Sequence, residues 1–284
     1  DPQGALVEAL FAQTFLSHPY HWPVIGWFAD LEAMSLDDLQ RHYDTFYSPN
    51  NATLIVVGDI KADTLLQTIK DLFEPIPKGP SPKQTVSAEP EQRGERRFVL
   101  KREAQVPSVM MGFRVPNHSS EDAYALDLLE SILSDGKSSR LYQSLVYDQK
   151  ISLSVGAEYD LLQTDPGLFY FYSLVSPGAK VEAVEDALQR EIAKLQNELL
   201  SDLELQRAKN QVEASRVFEQ DSNFRHAMLL GQLESVGAGW RRVDQFLERI
   251  RTVTAKDIQR VAKHYLTQDN RTVGILIPLP SKEQ

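Results

Sequence analysis

Apolar positions recur along this chain at two different periods, and each change of period marks an element. Over residues 4–17, Leu6, Ala9, Leu10 and Phe15 fall at helical spacing and predict a first helix. The segment from His18 to Trp27, rich in proline and aromatic rings, breaks that pattern as a turn. Ser35 opens a second helix with Asp38 three positions on, the arrangement of a helix N-cap. Pro49-Asn50-Asn51 stops it, and the run from Thr53 to Val57, dominated by β-branched residues, predicts a buried strand. A helix over residues 62–73 closes this first unit.

Between residues 75 and 96 the periodicity disappears. Pro75, Pro77, Pro80, Pro82 and Pro90 stand among Gly, Ser, Lys and Glu, which predicts an extended, solvated interdomain linker. Beyond it, strands are expected at 97–102, 108–115, 151–160, 167–176 and 272–277. Helices are expected at 121–134, 138–147, 241–250 and 254–266. Ser201-Asp-Leu-Glu204 has the form of a capping box and opens a long helix expected to reach Val236. Alternation in the fourth strand puts Phe169 and Phe171 on one face and Tyr170 and Tyr172 on the other. Strands in hairpin pairs followed by runs of helices indicate an α+β fold, a mainly antiparallel sheet with helices packed on one face.

The chain also repeats itself. Ser35-Leu-Asp-Asp-Leu-Gln-Arg41 lies over Thr254-Ala-Lys-Asp-Ile-Gln-Arg260 without a gap, and the match continues through the strand that follows. Asp38, Gln40, Arg41, Asn51 and Thr53 recur as Asp257, Gln259, Arg260, Asn270 and Thr272. A helix-and-strand unit recurring at domain-sized spacing predicts duplicated domains. The expected organisation is a truncated first domain over 1–74, a linker over 75–96 and a second domain over 97–284. On a normal domain size, about 120 residues of the first domain are expected upstream of Asp1.

Composition narrows the chemistry. A net charge of −10, with no segment concentrating Lys and Arg, argues against a nucleic-acid partner. The absence of cysteine removes disulfides, thiolate metal sites and a thiol nucleophile. No apolar run has the ~18 residues needed to span a bilayer. Among candidates, His18 and His21 have H-x-x-H spacing with Asp30 and Glu32 nearby, but the prolines place them in a turn. Loop histidines beside Tyr20 and Trp22 are the favoured reading over a metal pair. His42, His118, His226 and His264 are scattered, and His42 and His264 read as helix surface. Ser138-Ser139 after Gly136 lacks the G-x-S-x-G pattern and reads as a helix N-cap. No complete catalytic site is visible.

His18-Pro-Tyr-His-Trp-Pro-Val-Ile-Gly-Trp27, then Tyr47-Ser-Pro-Asn-Asn-Ala-Thr-Leu-Ile-Val-Val-Gly-Asp59, closely resembles the pitrilysin/insulinase family of zinc metallopeptidases. The stretch from Gly136 to Val146 resembles the equivalent helical segment of that family, and the likeness covers essentially the whole chain. It is closest to short bacterial members that pair two half-barrel subunits around a chamber. The resemblance implies a zinc metalloendopeptidase parent whose H-x-x-E-H motif and glutamate ligand lie upstream of Asp1. No catalytic residue, metal ligand or bound zinc is therefore expected in this chain, which alone should be inactive.

Aligned on the motif, the second domain offers Asp127-Leu-Leu-Glu130-Ser131 without either histidine, so Glu130 is expected on the helix surface or in a capping network. The family's substrate-holding Arg and Tyr map onto Val146 and Leu153, which cannot donate hydrogen bonds. Tyr147 and Tyr159 are out of register, and Arg140 belongs to the preceding motif. The resemblance thus implies the zinc-bearing subunit of a heterodimer, with the partner supplying Arg and Tyr in trans and peptides as substrates. It leaves periplasm and cytoplasm both open. The alternative is a non-catalytic chamber-forming scaffold or substrate-binding subunit of the same family.

Overall fold

A computed structural model describes residues 1–82 and 87–279, leaving out the side chains of residues 219 and 220. Residues 83–86 of the expected linker and 280–284 of the second domain lie outside the described residues. Four helices come first: α1 (Pro2–Thr14), α2 (Phe28–Ala33), α3 (Leu36–Phe46) and α4 (Ala62–Phe73). Strands β1 (Arg96–Glu103) and β2 (Ser108–Val115) follow, then α5 (Asp122–Ser134) and a π-helical turn at Tyr142–Asp148. Strands β3 (Ser152–Tyr159) and β4 (Gly167–Val175) lead into α6 (Val181–Asn197) and α7 (Asp202–Gln220). The chain continues through α8 (Asn223–Ser235), α9 (Arg242–Thr252) and α10 (Ala255–Tyr265) to strand β5 (Arg271–Leu279). None of the described helices is long and apolar enough to cross a membrane.

The five strands form one sheet in the order β1-β5-β2-β4-β3, antiparallel except for β1 against β5. This corrects the expectation that the first two strands pair as a hairpin, because β5 inserts between them. The reason is burial: Thr272, Val273 and Leu276 of β5 are fully or almost fully buried, so β5 is a central strand with neighbours on both sides. β1, which alternates half-buried with exposed residues, takes the edge.

The alternation expected in β4 is present. Phe169 and Phe171 join Val109, Met111 and Phe113 in the main core beneath α5, α6 and α10. Tyr170 and Tyr172 turn to the opposite face with Met110 and Leu276, and there they meet α1. Helices therefore lie on both faces, not one, and α1, expected within the first domain, lies on the second domain's sheet. Leu6 and Leu10 are fully buried in this contact, worth roughly 1.5–3 kcal/mol each. Gly112 makes the close approach possible, since a Cβ there would stand 3.3 Å from a Leu10 methyl.

Both repeats cap their helices identically. Ser35 and Asp38 form a complete capping box on α3, as Thr254 and Asp257 do on α10. Asn51 Nδ2 donates to the Phe46 carbonyl at 2.9 Å and Asn270 Nδ2 to the Tyr265 carbonyl at 2.8 Å. The strands differ. Residues 52–57 pair with no strand among the described residues, whereas β5 has two partners, so the strand expected at Thr53–Val57 is absent. A strand exists only through its ladder, whatever the β-propensity of its residues.

Three smaller expectations also change. The long helix ending at Val236 is broken at residues 221–222, where Ser222 caps α8 by accepting from Arg225 N. Ser201 accepts from Glu204 N at 3.3 Å, but both Glu204 carboxylate oxygens go to Arg140, at 2.6 and 2.8 Å. A bidentate charge-assisted pair outweighs the second bond of a capping box. Nor is the linker wholly solvated. The half-buried Glu89 carboxylate accepts from the backbone N–H groups of Leu16, Ser17 and His18 at 2.8–3.0 Å and faces Arg114 at 3.6 Å.

Candidate functional site

The sequence positions of interest fall in two places, the turn after α1 and the α5–β3 region. In the turn, His18 is buried, its Nδ1 accepting from Tyr20 N at 3.2 Å and its Nε2 3.3 Å from Asp165. The acceptor role of Nδ1 places the ring hydrogen on Nε2, toward that carboxylate. His21 turns away, its Nδ1 bonded to the His18 carbonyl at 3.0 Å and its ring against Trp22 at 4.5 Å. The His18 ring stands 4.3 Å from that of Tyr20. These are packed loop histidines, as the proline pattern indicated. Tyr20 receives Asp165 N on its hydroxyl, and burial raises its pKa. The turn thereby ties α1 to the loop between β3 and β4.

The α5 segment aligned with the zinc motif carries Asp127, Glu130 and Ser131. Helix α5 packs on β3, and Ser134 Oγ donates to the Ala157 carbonyl of that strand at 2.9 Å. Glu130 is half-buried rather than on the helix surface, and its carboxyl is pushed up to about 8. Burial is the main cause, and the charges of Asp135, Asp127 and Glu158 add to it. Ser134 Oγ is 3.5 Å from it, a weak bond at best. Ser131 Oγ donates to Asp135 at 2.6 Å, closing the end of α5. Across β3, Glu158 takes the hydroxyl hydrogen of Tyr170, which burial first and then that bond raise in pKa.

These residues do not fit a zinc site. Among the described residues no three His, Cys, Asp or Glu converge in a way that could hold a metal. At neutral pH Glu130 is a protonated acid among carboxylates, able to donate a hydrogen bond but not to serve as a ready base.

Val146 lies half-buried in the π-helical turn, and Leu153 is the exposed bulge residue of β3. Tyr147 points to solvent, Tyr159 gives its hydroxyl hydrogen to the Pro116 carbonyl at 2.6 Å, and Arg140 is held by Glu204. Ser139 sits at the start of its helical turn, its carbonyl accepting from Gln143 N, while its buried hydroxyl finds no partner. His42 and His264 lie exposed on α3 and α10. A pocket that the sequence did not indicate lies between α8, α9 and the loops at 116–121 and 160–162. Its residues come from separate segments, each unremarkable alone.

Comparison with known proteins agrees with this architecture. The chain is 28% identical over 283 residues to the zinc protease PqqE of Helicobacter pylori, covering 98% of this chain and 63% of that protein. It is 26% identical to a zinc protease of Streptomyces coelicolor, covering 100% of this chain and 62% of that protein. The chain thus spans less than two thirds of the length of these relatives. A protease crystal structure from Helicobacter pylori superimposes with a TM-score of 0.90 at 26% identity, over 98% of this chain and 67% of that one. The inactive peptidase domain from Bordetella parapertussis matches 65% of this chain and 97% of its own, with a TM-score of 0.57 at 29% identity. Residues 33–212 match the family described as "Peptidase M16 inactive domain". That match covers more than half of the sequence, and the chain belongs to this family.

Proposed function

We propose that this chain is the downstream part of the zinc-bearing subunit of a metalloendopeptidase that hydrolyses peptides in a closed chamber. It lacks the zinc motif and forms chamber wall and subunit interface. The observation that carries this reading is the first unit's missing core. Helices α2, α3 and α4 bury no residue at all. Leu39, Tyr43, Phe46, Leu66 and Phe73 stand exposed along them. The same sequence unit in its second copy buries Ile258, Val261 and Ala262 and feeds a doubly paired strand. A half-domain with its apolar stripes uncovered fits a sheet supplied by the rest of a longer protein, and the relatives of that greater length are named zinc proteases. Hydrolytic chemistry then belongs to the segment outside this chain.

With Val146 and Leu153 at the substrate-holding positions, the Arg and Tyr donors come from a partner subunit, which makes the assembly a heterodimer. The scaffold reading is favoured by the lack of both metal ligands and donors at the family's motif positions here, and one experiment separates the two. The coding region upstream of Asp1 is sequenced, and the complete parent is assayed with a quenched fluorescent peptide, alone and with its partner. H-x-x-E-H upstream, with cleavage abolished by a zinc chelator, is the expected result. An upstream region present but without those histidines would leave a scaffold and sink the peptidase reading.

A further inference from the structure

Helix α1 covers only part of its sheet face. Leu6 and Leu10 are buried there with Met110 and Leu276. Toward the β3 edge a cleft of about 310 Å³ stays open, at the lower end of the range for small-molecule sites. Gln3 and Val7 of α1 form one wall, and Met110, Tyr170, Tyr172 and Glu158 form the floor. Strand register fixes the order of these groups. Tyr170 stands beside Glu158, Tyr172 beside Gly156, and Leu174 beside both Ser108 and Ser154. The cleft therefore runs about 13 Å along β4, four residues of strand, from a carboxylate at one end to two serine hydroxyls at the other. Gly156 shapes its middle: a Cβ there would stand 2.4 Å from Tyr172 Oη, so the ring lies directly on the β3 backbone.

The polar atoms of this cleft are acceptors short of donors. Tyr170 gives its hydroxyl hydrogen to Glu158, so its oxygen can only accept further bonds. The exposed Glu158 carboxylate is itself acceptor-only, and its one hydrogen bond among the described residues is that from Tyr170. Burial first, and then the charges of Glu158 and Glu130, raise the pKa of Tyr172, which places its ring within the field of both carboxyl groups. At the far end Ser108 is 2% exposed, and its buried hydroxyl has no partner among the described residues. A buried hydroxyl left unsatisfied beside a cleft marks a place for a polar ligand group or its water.

We propose that this cleft binds a primary ammonium on a short alkyl stem, with the ammonium at Glu158 and Tyr170 and the stem along Tyr172 and Met110. An ammonium brings three donors and no acceptor, which matches a carboxylate and a phenol whose hydrogen is already given. The tyrosine rings add cation–π attraction. A hard metal ion would need more oxygen ligands than one carboxylate supplies. A guanidinium fork seeks both oxygens of a carboxylate, whereas one oxygen of Glu158 already takes the Tyr170 hydroxyl. Two sources share the ammonium chemistry: a free alkyl diamine, and a lysine side chain whose peptide groups reach Ser108 and Ser154. The site stands on the second sheet alone and requires nothing of the peptidase reading.

The test is an NMR titration of the 284-residue chain carrying carbon-13 in its tyrosine rings, with Tyr170→Phe and Tyr172→Phe used to assign the two signals. The probes are putrescine, N-acetyl-lysine N-methylamide and, as its uncharged counterpart, N-acetyl-norleucine N-methylamide. Saturable shifts of both rings are expected with at least one amine, and binding of the norleucine compound should be about tenfold weaker, the scale of one charge-assisted bond. Preference for putrescine assigns the site to free diamines, and preference for the lysine compound assigns it to peptide side chains. Glu158→Gln, at an exposed position, is expected to weaken amine binding about tenfold with urea unfolding unchanged. Where that variant is unstable, the native chain decides, since its amine affinity should fall several-fold between about 0.02 and 0.5 M salt. Norleucine compound and amine bound equally well, no saturable shift of either ring with any amine, full affinity in a folded Glu158→Gln chain, or binding indifferent to salt would overturn the proposal.

Discussion

Replacing Glu130 by glutamine is expected to stabilise the chain at neutral pH, and the gain should vanish in acid. Burial first, and then the charges of Asp135, Asp127 and Glu158, push this carboxyl from its ordinary 4.5 to about 8. Between those values the folded chain keeps a proton on Glu130 that the unfolded chain releases. The folded state binds more protons across that window, so stability falls as pH rises through it. Each pH unit is worth about 1.4 kcal/mol, so by pH 7 the penalty reaches about 3 kcal/mol. Glutamine keeps the shape and an oxygen for Ser134 but cannot ionise. The gap between variant and native chain should therefore be near zero at pH 4.5, about 3 kcal/mol at pH 7 and level above pH 8. For a domain of this size that is a rise of about 6–12 °C in melting temperature. Urea unfolding followed by circular dichroism at pH 4.5, 6, 7 and 8.5 measures it. A gap independent of pH, or a less stable variant at pH 7, would refute the burial argument and mean that Glu130 is held ionised.

The anchoring of α1 yields two further expectations. Glu89→Ala strands the N–H groups of Leu16, Ser17 and His18 and leaves Arg114 without its carboxylate, so a loss of about 2–4 kcal/mol is expected in urea unfolding. Burial works to raise the Glu89 pKa, but the three N–H groups and Arg114 outweigh it and hold the carboxyl below its ordinary value. Its contribution is therefore full above the unfolded value and lost as pH falls through the lowered folded one, so the Glu89→Ala deficit should shrink in acid. Gly112→Val drives a side chain into Leu10 and should cost about 1–3 kcal/mol by overpacking, with hydrogen exchange speeding up first in α1. Leu39→Asp with Leu66→Asp, at exposed positions of α3 and α4, should turn a self-associating chain into a monomer in sedimentation velocity. Its stability should change by less than about 0.5 kcal/mol.

Most elements were legible because their signals are local. The capping boxes of α3 and α10, the two-faced strand β4 and the bounds of α4 follow from spacing within a few residues. What escaped was whatever depends on a distant partner. The insertion of β5 between β1 and β2 is fixed by which strand is buried on both faces, and neighbouring sequence does not encode that. Glu204 could not be seen to leave its cap for Arg140, nor Glu89 to leave a linker for the end of α1, because those partners lie far away in the chain. At the candidate site, residue type alone shows that the side chains of Val146 and Leu153 cannot donate a hydrogen bond. The protonation of Glu130 was not, since it arises from burial against β3 and from the charge of Glu158 on that strand.

The repeated unit acts as an internal control on this division. Both copies carry the same Asn and the same cap, and both form them with nearly the same geometry. These bonds close within five residues, so they need no tertiary support. In the second copy Asn270 also reaches the Arg114 carbonyl at 2.8 Å, Arg260 pairs with Asp122 at 2.7 Å, and Tyr265 donates to Asp122 at 2.8 Å. In the first copy Phe46 stands where Tyr265 stands and has no hydroxyl to give, while among the described residues Arg41 reaches only Asp38 of its own helix. The second copy is thus bonded to β2 and α5, elements well outside the repeat, whereas Arg41 stays within it. If the first unit belongs to a complete domain, its Arg41 should acquire a carboxylate partner from the missing part, as Arg260 has. Arg41→Ala would then be nearly silent in this chain, yet destabilise the complete parent by about 1–3 kcal/mol. Equal effects in both would mean that the two copies share ancestry in their helices but not a common domain architecture.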